Sequence, residues 1–312
     1  MEDVLLALLV TPFAKIAEAP LFFAEVAVGG VLTGVMYSLV ALGFVLIFKA
    51  SGIFNFAQGV MVLFAALTLV GLIERDVPVW LALILTAAIM TLLAFAIERV
   101  VLRPLVNQPG IILFMATIGL TFFLEGFGET LWGSNVKKLS VGIPDEPVEI
   151  LGILVGTFDL WAAGIGAAMV AVLAVLFQKT TIGRALRAVA DDHQAAMSVG
   201  IPLKTIWVVV WAVAGFVAMI AGIMWGSKSG VQFSLALIAL KALPVLILGG
   251  FTSVPGAIIG GLIIGVGEKV AEVYWGPAVG GAIENWFAYI LALVFLVFRP
   301  QGLFGEKIIE RV

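Results

Sequence analysis

The stretch VAVGGVLTGVMYSLVALGFVLIF, residues 26–48, contains no charged side chain. A helix that crosses the hydrocarbon core of a membrane needs ~20 largely apolar residues, so this stretch is long enough to span it. The whole chain has the same character, because 62% of its 312 residues are hydrophobic and only 12% are charged, against roughly 25% charged residues in a soluble domain. Such unbroken runs differ from the alternating segments of about ten residues that predict a transmembrane β-barrel. The sequence therefore predicts an all-α integral membrane protein.

Nine apolar segments are candidate membrane helices, if short and discontinuous ones are included. They are residues 22–48, 53–73, 79–97, 111–131, 160–177, 206–226, 235–249, 256–272 and 286–298. The last four are short or closely spaced, so we expect about 8–10 transmembrane helices. We expect residues 1–21 to form a peripheral N-terminal segment and residues 22–312 a single transmembrane domain.

The distribution of positive charge predicts the orientation of these helices. With the N-terminus outside, the inner loops hold ten Lys and Arg side chains and the outer loops hold five. Cytoplasmic loops carry the excess of Lys and Arg. We therefore expect the N-terminus outside, the C-terminus in the cytoplasm, and the polar segment 178–205 on the cytoplasmic side.

The composition excludes several kinds of chemistry. Cysteine is absent and His193 is the single histidine, which excludes disulfides, thiol redox chemistry and Cys/His zinc sites. The net charge of −3 argues against a nucleic-acid partner. No His-Glu-x-x-His, Gly-x-Ser-x-Gly or Walker A sequence is present. We therefore expect neither an enzyme nor a chain that binds a metal or cofactor of its own.

The segment 178–205 differs from the apolar sequence on either side of it. Its alanine-rich middle predicts a short helix with one mildly apolar face, made by Ala185, Leu186, Ala188 and Val189. Arg184 and Arg187 lie one turn apart on this helix. We expect both on the side that meets phospholipid or an acidic partner.

A second short helix is predicted directly after the first. Asp191 or Asp192 can cap Gln194–Val199, and Gly200 ends it. Two short helices joined by a bend have the dimensions to dock into a cleft on another protein. The alternative is an amphipathic connector that lies on the inner leaflet.

This segment resembles the coupling-helix motif of ABC importer permeases, G-R-A-x-R-A-x-A-x-D-x-x-A-A-x-x-x-G-I. The matching residues are Gly183, Arg184, Ala185, Arg187, Ala188, Ala190, Asp192, Ala195, Ala196, Gly200 and Ile201. We call residues 178–205 the coupling segment.

Two further blocks resemble permeases of the branched-chain amino acid (LIV-type) ABC uptake family, nearer the H-type than the M-type subunit. One block matches K-A-x-x-x-x-x-L-G-G-x-x-S-x-x-G-A-x-x-G-G over residues 241–261, and Phe54–Gly59 is similar to the start of N-F-A-H-G-E. Together the blocks cover most of residues 40–265 in the expected order. The family's histidine is Gln58 here and its glutamate is Val60, so an acidic group that would face a substrate ammonium is missing.

The resemblance implies a multi-pass permease subunit of an ABC importer in a bacterial inner membrane. It implies a second, homologous or identical permease subunit, two cytoplasmic ATPase subunits that use ATP and Mg²⁺, and a periplasmic substrate-binding protein. Branched-chain or other amino acids, urea or short amides, and small carboxylates are the candidate substrates. The alternative function is a free-standing channel or secondary transporter for small polar solutes. The residues implied in coupling to the ATPases are Gly183, Arg184, Arg187, Ala188, Asp192, Ala195, Ala196 and Gly200.

Polar residues inside apolar segments are candidates for the translocation route, because ionisable groups at membrane depth cost ~2.5–3.5 kcal/mol on insertion scales. Lys241 either binds a substrate carboxylate or pairs with a glutamate, the candidates being Glu125, Glu268 and Glu272. Glu125 and Glu129 lie one turn apart on a segment that we expect Gly126 and Gly128 to break. They either line an outer vestibule or cap a helix.

Asn55 and Gln58 follow the predicted inner-side break after Gly52. Their amides either satisfy backbone groups at a discontinuous helix or bind the substrate. The 35 glycines have two explanations as well: most allow helices to approach closely, and some mark helix breaks along the route.

Overall fold

The structure is a computed structural model that describes residues 8–105, 108–144, 146–191 and 193–305. These residues form thirteen α-helices and one two-stranded hairpin, which confirms the predicted all-α fold. The α-helices are α1 Thr11–Glu18, α2 Pro20–Ser51, α3 Gln58–Ile73, α4 Val79–Ala96, α5 Gly110–Trp132, α6 Thr157–Lys179, α7 Thr181–Asp191, α8 His193–Ser198, α9 Leu203–Ser229, α10 Ile238–Gly249, α11 Val254–Tyr274, α12 Gly276–Val279 and α13 Phe287–Phe298; the hairpin is β1 Pro147–Ile150 and β2 Ile153–Gly156.

Six helical segments are long and apolar enough to cross a membrane. They are Pro20–Ser51, Val79–Leu105, Gly110–Trp132, Thr157–Lys179, Leu203–Ser229 and Val254–Tyr274. Three shorter apolar helical segments, Gln58–Ile73, Phe233–Gly249 and Phe287–Phe298, correspond to the remaining predicted segments. The helices therefore occur where the apolar stretches predict them, and the orientation of the termini stays a prediction.

Some boundaries differ from the prediction. Residues 53–57 are not α-helical, so the second predicted segment begins its helix only at Gln58. The helix α5 continues through Gly126 and Gly128, so these two glycines do not break it. Of the predicted peripheral segment 1–21, residues 1–7 lie outside the described residues.

The chain folds into two compact units, each built from separate stretches of sequence. The terminal unit comprises residues 1–38, 142–165 and 241–312, and the central unit comprises 39–141 and 166–240.

The terminal unit is organised around a close contact between α2 and α11. A Cβ atom added to Gly30 would lie 2.6 Å from the Cα of Val266, and one added to Gly34 would lie 2.8 Å from the Cα of Leu262. Neither distance leaves room for a side chain, so the two backbones touch. At these positions the glycines serve close helix packing, as small residues commonly do in membranes.

In the central unit, α9 packs against α3 and α4, and α3 also packs against α5. All residues of α3 from Gln58 to Gly71 are buried. A helix that is apolar on every side is expected in the interior of a helical assembly. Because α3 begins at Gln58, its buried first turn adjoins the non-helical residues 53–57.

Candidate coupling segment and intramembrane polar residues

The two short helices predicted for the coupling segment are α7 and α8. The second one runs from His193 to Ser198, one residue earlier than predicted. Gly200 has a φ of +86°, a conformation that glycine adopts readily, and its N–H donates to the carbonyl of Met197 at 3.0 Å. Gly200 therefore ends α8 as the sequence predicts.

One face of these helices is buried and the other is exposed. Leu186, Val189 and Ala196 are buried, and both helices pack against α9. The exposed side carries apolar and charged groups, namely Ile182, Arg184, Ala195, Met197 and Val199. An exposed apolar surface next to an arginine suits both alternatives predicted for this segment, contact with a partner protein and contact with the inner leaflet.

The predicted coupling residues divide between these faces. Arg184, Ala195 and Gly200 are exposed, Arg187 and Ala188 are partly buried, and Gly183 and Ala196 are buried; Asp192 lies outside the described residues. The two arginines differ in exposure and in hydrogen bonding. The guanidinium of Arg187 donates from Nη1 to the carbonyl of Phe177 in the last turn of α6, whereas Arg184 is exposed.

Asn55 is fully buried and serves the non-helical residues before α3. Its Oδ1 accepts a hydrogen bond from the N–H of Ala57 at 3.1 Å, and its Nδ2 lies 3.5 Å from Oε1 of Gln58. Unpaired backbone groups are costly inside a membrane. The contacts of Asn55 thus support the first of its two predicted roles, satisfaction of the backbone.

Thr117 on α5 completes this arrangement, and no sequence pattern indicated its role. Its Oγ1 accepts from the N–H of Phe56 at 3.1 Å and lies 3.3 Å from the carbonyl oxygen of Phe54, within hydrogen-bond range. The non-helical residues are therefore held by side chains from both α5 and their own stretch.

Gln58 is also fully buried, and it packs against Gly43 of α2. A Cβ atom at residue 43 would lie 2.5 Å from Cδ of Gln58. Within the described residues, Nε2 of Gln58 has no hydrogen-bond partner. Gln58 thus keeps a spare donor, and it stays a candidate for the route.

Lys241 pairs with a glutamate, as one of its two predicted roles requires. Its Nζ donates to Oε1 of Glu268 at 3.0 Å, and the hydroxyl of Tyr37 donates to the same oxygen at 2.9 Å. Glu268 is 2% exposed, while the side chain of Lys241 is 27% exposed. These contacts support the structural role, because a buried carboxylate needs partners for its charge.

The other two candidate partners of Lys241 have different surroundings. Glu272 accepts hydrogen bonds from the backbone N–H groups of Ala282 at 3.1 Å and Glu284 at 3.0 Å. Glu125 is partly exposed on α5, next to the buried Leu124. The structure thus brings Asn55 and Gln58 together, and it places Lys241 with Glu268 and Tyr37.

Comparison with known proteins agrees with these features. Residues 26–299 match the model of a family described as "branched-chain amino acid transport system / permease component". The chain is 28% identical over 300 residues to the high-affinity branched-chain amino acid transport system permease protein BraD of Pseudomonas aeruginosa, covering 91% of this chain and 96% of that protein. It is 27% identical over 318 residues to LivH of Escherichia coli, a permease protein of the same description, covering 95% and 100%.

A sugar permease is a more distant relative. The fructose import permease protein FruF of Bifidobacterium longum is 24% identical over 276 residues, covering 85% of this chain and 75% of that protein. The family match includes eight of the nine apolar helical segments completely and residues 26–51 of the ninth, Pro20–Ser51. The chain is therefore a multi-pass membrane protein that belongs to the family of permease components of branched-chain amino acid transport systems.

Proposed function

We propose that this chain is one permease subunit of an ABC importer in a bacterial inner membrane. A second, homologous or identical permease subunit completes the translocation route, and a periplasmic binding protein delivers the solute. Two cytoplasmic ATPase subunits bind and hydrolyse ATP with Mg²⁺. The single observation that carries this proposal is the coupling segment, which consists of two short helices and exposes Ile182, Met197 and Val199.

The coupling segment gives the ATPases a rigid element to push. Its buried face, which includes Leu186 and Val189, packs against α9, a helix long enough to cross the membrane. Closure of the ATPase pair moves α7 and α8, and this movement tilts the attached spans and opens the route inward. A free-standing channel has no use for such a docking surface.

The pairing of Lys241 favours solutes without net charge. An unpaired ammonium on the route would hold anions strongly at membrane depth. Here Oε1 of Glu268 lies 3.0 Å from the ammonium and offsets its charge. A zwitterionic amino acid, first of all a branched-chain one, is therefore the proposed substrate, and uncharged amides are preferred to small carboxylates.

Purification of the chain from its native membrane, followed by mass spectrometry of the proteins that stay bound, tests this proposal. We expect two ATPase subunits for every pair of permease subunits. The binding protein recovered with them is then screened by thermal shift against leucine, isoleucine, valine, urea and acetate. Recovery of the chain alone, in a detergent that preserves known ABC complexes, together with solute flux that needs no ATP, would instead establish a channel.

A further inference from the structure

The hydroxyl group of Thr180 links the end of α6 to the start of α7. Thr180 Oγ1 donates to the carbonyl of Leu176 at 2.5 Å and accepts from the N–H of Gly183 at 3.0 Å. The last carbonyls of one helix and the first N–H groups of the next have no partner within their own helix. Thr180 therefore satisfies one group of each kind and holds the end of α6 against the start of α7.

Gly183 lets the two helices approach at this junction. It is buried, and a Cβ atom at this position would lie 2.5 Å from the carbonyl oxygen of Leu176 and 2.6 Å from the carbonyl carbon of Phe177. Both distances are much shorter than an ordinary van der Waals contact. A side chain at residue 183 would push α7 away from α6.

Arg187 lies one turn further along α7 and completes the contact. Its Nη1 donates to the carbonyl of Phe177, which belongs to the last turn of α6. A positive charge at the C-terminal end of a helix is favoured by the helix dipole. Charge-assisted hydrogen bonds are also stronger than neutral ones. Arg187 thus caps α6 from the neighbouring helix.

We infer that Thr180, Gly183 and Arg187 form an internal joint that fixes α7 to α6, and that Gly183 and Arg187 do not contact the ATPases. The ATPase contact, which rests on the proposed function, is made by the exposed residues of the same segment. We call these the docking face: Ile182, Arg184, Ala195, Met197 and Val199. The motif that the sequence presents as one surface therefore has two roles, and Arg187 is a positioning residue that passes movement of α7 to α6.

The rigidity of the joint can be measured on the permease itself, without any partner. Spin labels at the exposed Val172 on α6 and Met197 on α8 report the distance between the two helices. We expect a narrow distance distribution, which Arg187→Met broadens and Arg187→Lys largely restores. Arg184→Met is the matched control, because it removes the same charge from the exposed side of the same helix. Equal distributions in Arg187→Met and Arg184→Met would overturn the inference.

A second pair of variants tests the joint if the Arg187→Met variant fails to insert into the membrane. Gly183→Ala places a methyl group against the carbonyls of α6 and is expected to broaden the distribution. Gly164→Ala on α6 is its control, since the added Cβ would meet no atom of the described part of the chain within 4 Å apart from the backbone of α6 itself. An unchanged distribution in Gly183→Ala would contradict the joint.

Measurements on the assembled transporter separate the joint from the docking face. With Arg187→Met we expect normal recovery of the ATPase subunits and continued ATP hydrolysis. Uptake per ATP falls by about tenfold, the loss that corresponds to one charge-assisted hydrogen bond. Val199→Asp, at a residue that is 77% exposed, should instead release the ATPase subunits. Loss of these subunits in Arg187→Met to the same extent would assign Arg187 to the docking face and overturn the inference. If the unmodified chain binds no ATPase, the proposed function fails, while the spin-label distances still decide whether the joint exists.

Discussion

Glu268→Gln removes the negative charge that faces Lys241 inside the terminal unit. In the unmodified chain, Oε1 of Glu268 accepts from Lys241 at 3.0 Å and from Tyr37 at 2.9 Å. The variant keeps the shape of the side chain and an accepting oxygen. It nevertheless leaves the ammonium of Lys241 without a counter-charge.

The loss of stability expected for Glu268→Gln follows from the burial of Glu268 and Lys241. Removal of one partner from a fully buried ion pair costs ~3–5 kcal/mol, whereas hydrogen-bonded pairs in membrane proteins average about 0.6 kcal/mol in double-mutant cycles. Glu268 is 2% exposed but the side chain of Lys241 is 27% exposed, so its ammonium retains some hydration. We therefore expect Glu268→Gln to destabilise the protein by about 2 kcal/mol, between these limits.

Removal of both charges should restore most of this loss. In Lys241→Met/Glu268→Gln, a methionine fills the volume of the lysine stem and no unpaired charge remains. Replacement of a buried ion pair by apolar groups of similar volume is often neutral, and the glutamine at residue 268 keeps an accepting oxygen for the hydroxyl of Tyr37. The double variant should therefore lie within about 1 kcal/mol of the unmodified protein.

The assay is the free energy of unfolding in mixed micelles of mild detergent and SDS, combined as a double-mutant cycle. The matched control is the pair Lys269 and Glu284, whose charged atoms lie 3.8 Å apart and whose side chains are 41% and 39% exposed. Exposed pairs of this kind contribute ~0.2–1 kcal/mol. Their cycle should give a clearly smaller coupling energy than that of Lys241 and Glu268.

Solute uptake, measured on the same variants, decides between the two roles of Lys241. A structural pair predicts that Lys241→Met loses stability and that the double variant recovers both stability and uptake. Two results together would refute the reasoning. Lys241→Met would keep its full stability and lose uptake, and the coupling energy between Lys241 and Glu268 would not exceed that of the control pair. Lys241 would then act on the solute.

Two further substitutions test the packing of each unit. Gly30→Ala should destabilise the terminal unit by about 2 kcal/mol, because its Cβ would lie 2.6 Å from the backbone of α11. Gly29→Ala, whose Cβ would meet no atom of the described residues within 4 Å apart from the backbone of its own helix, should be close to neutral in the same SDS titration. Equal effects of the two variants would contradict the packing. Thr117→Val should cost about 1–2 kcal/mol and speed hydrogen exchange at the N–H of Phe56, whose acceptor it removes. Thr130→Val removes only a bond within α5, and faster exchange at Phe56 in that variant as well would argue against a specific role for Thr117.

The arginines of the coupling segment show what the sequence could and could not predict. The alanine-rich stretch and Gly200 predicted two short helices, and the structure has them as α7 and α8. Arg184 and Arg187 were expected on one side. Their hydrogen bonding differs because Arg187 donates to the carbonyl of Phe177 on the preceding helix. A helical pattern alone does not reveal which groups of a neighbouring helix lie nearby.

The sequence by itself determined that this is a helical membrane protein of the permease family, where its membrane helices lie, and that Asn55 and Gln58 follow a helix break after Gly52. These properties follow from the number of consecutive apolar residues and from motifs with fixed spacing, which are local features of the chain. Only the tertiary structure decided that Lys241 meets Glu268 and Tyr37. Three glutamates were equally possible partners in the sequence, and the choice depends on which helices touch. In the terminal unit that contact is set by glycines, whose missing side chains bring α2 against α11.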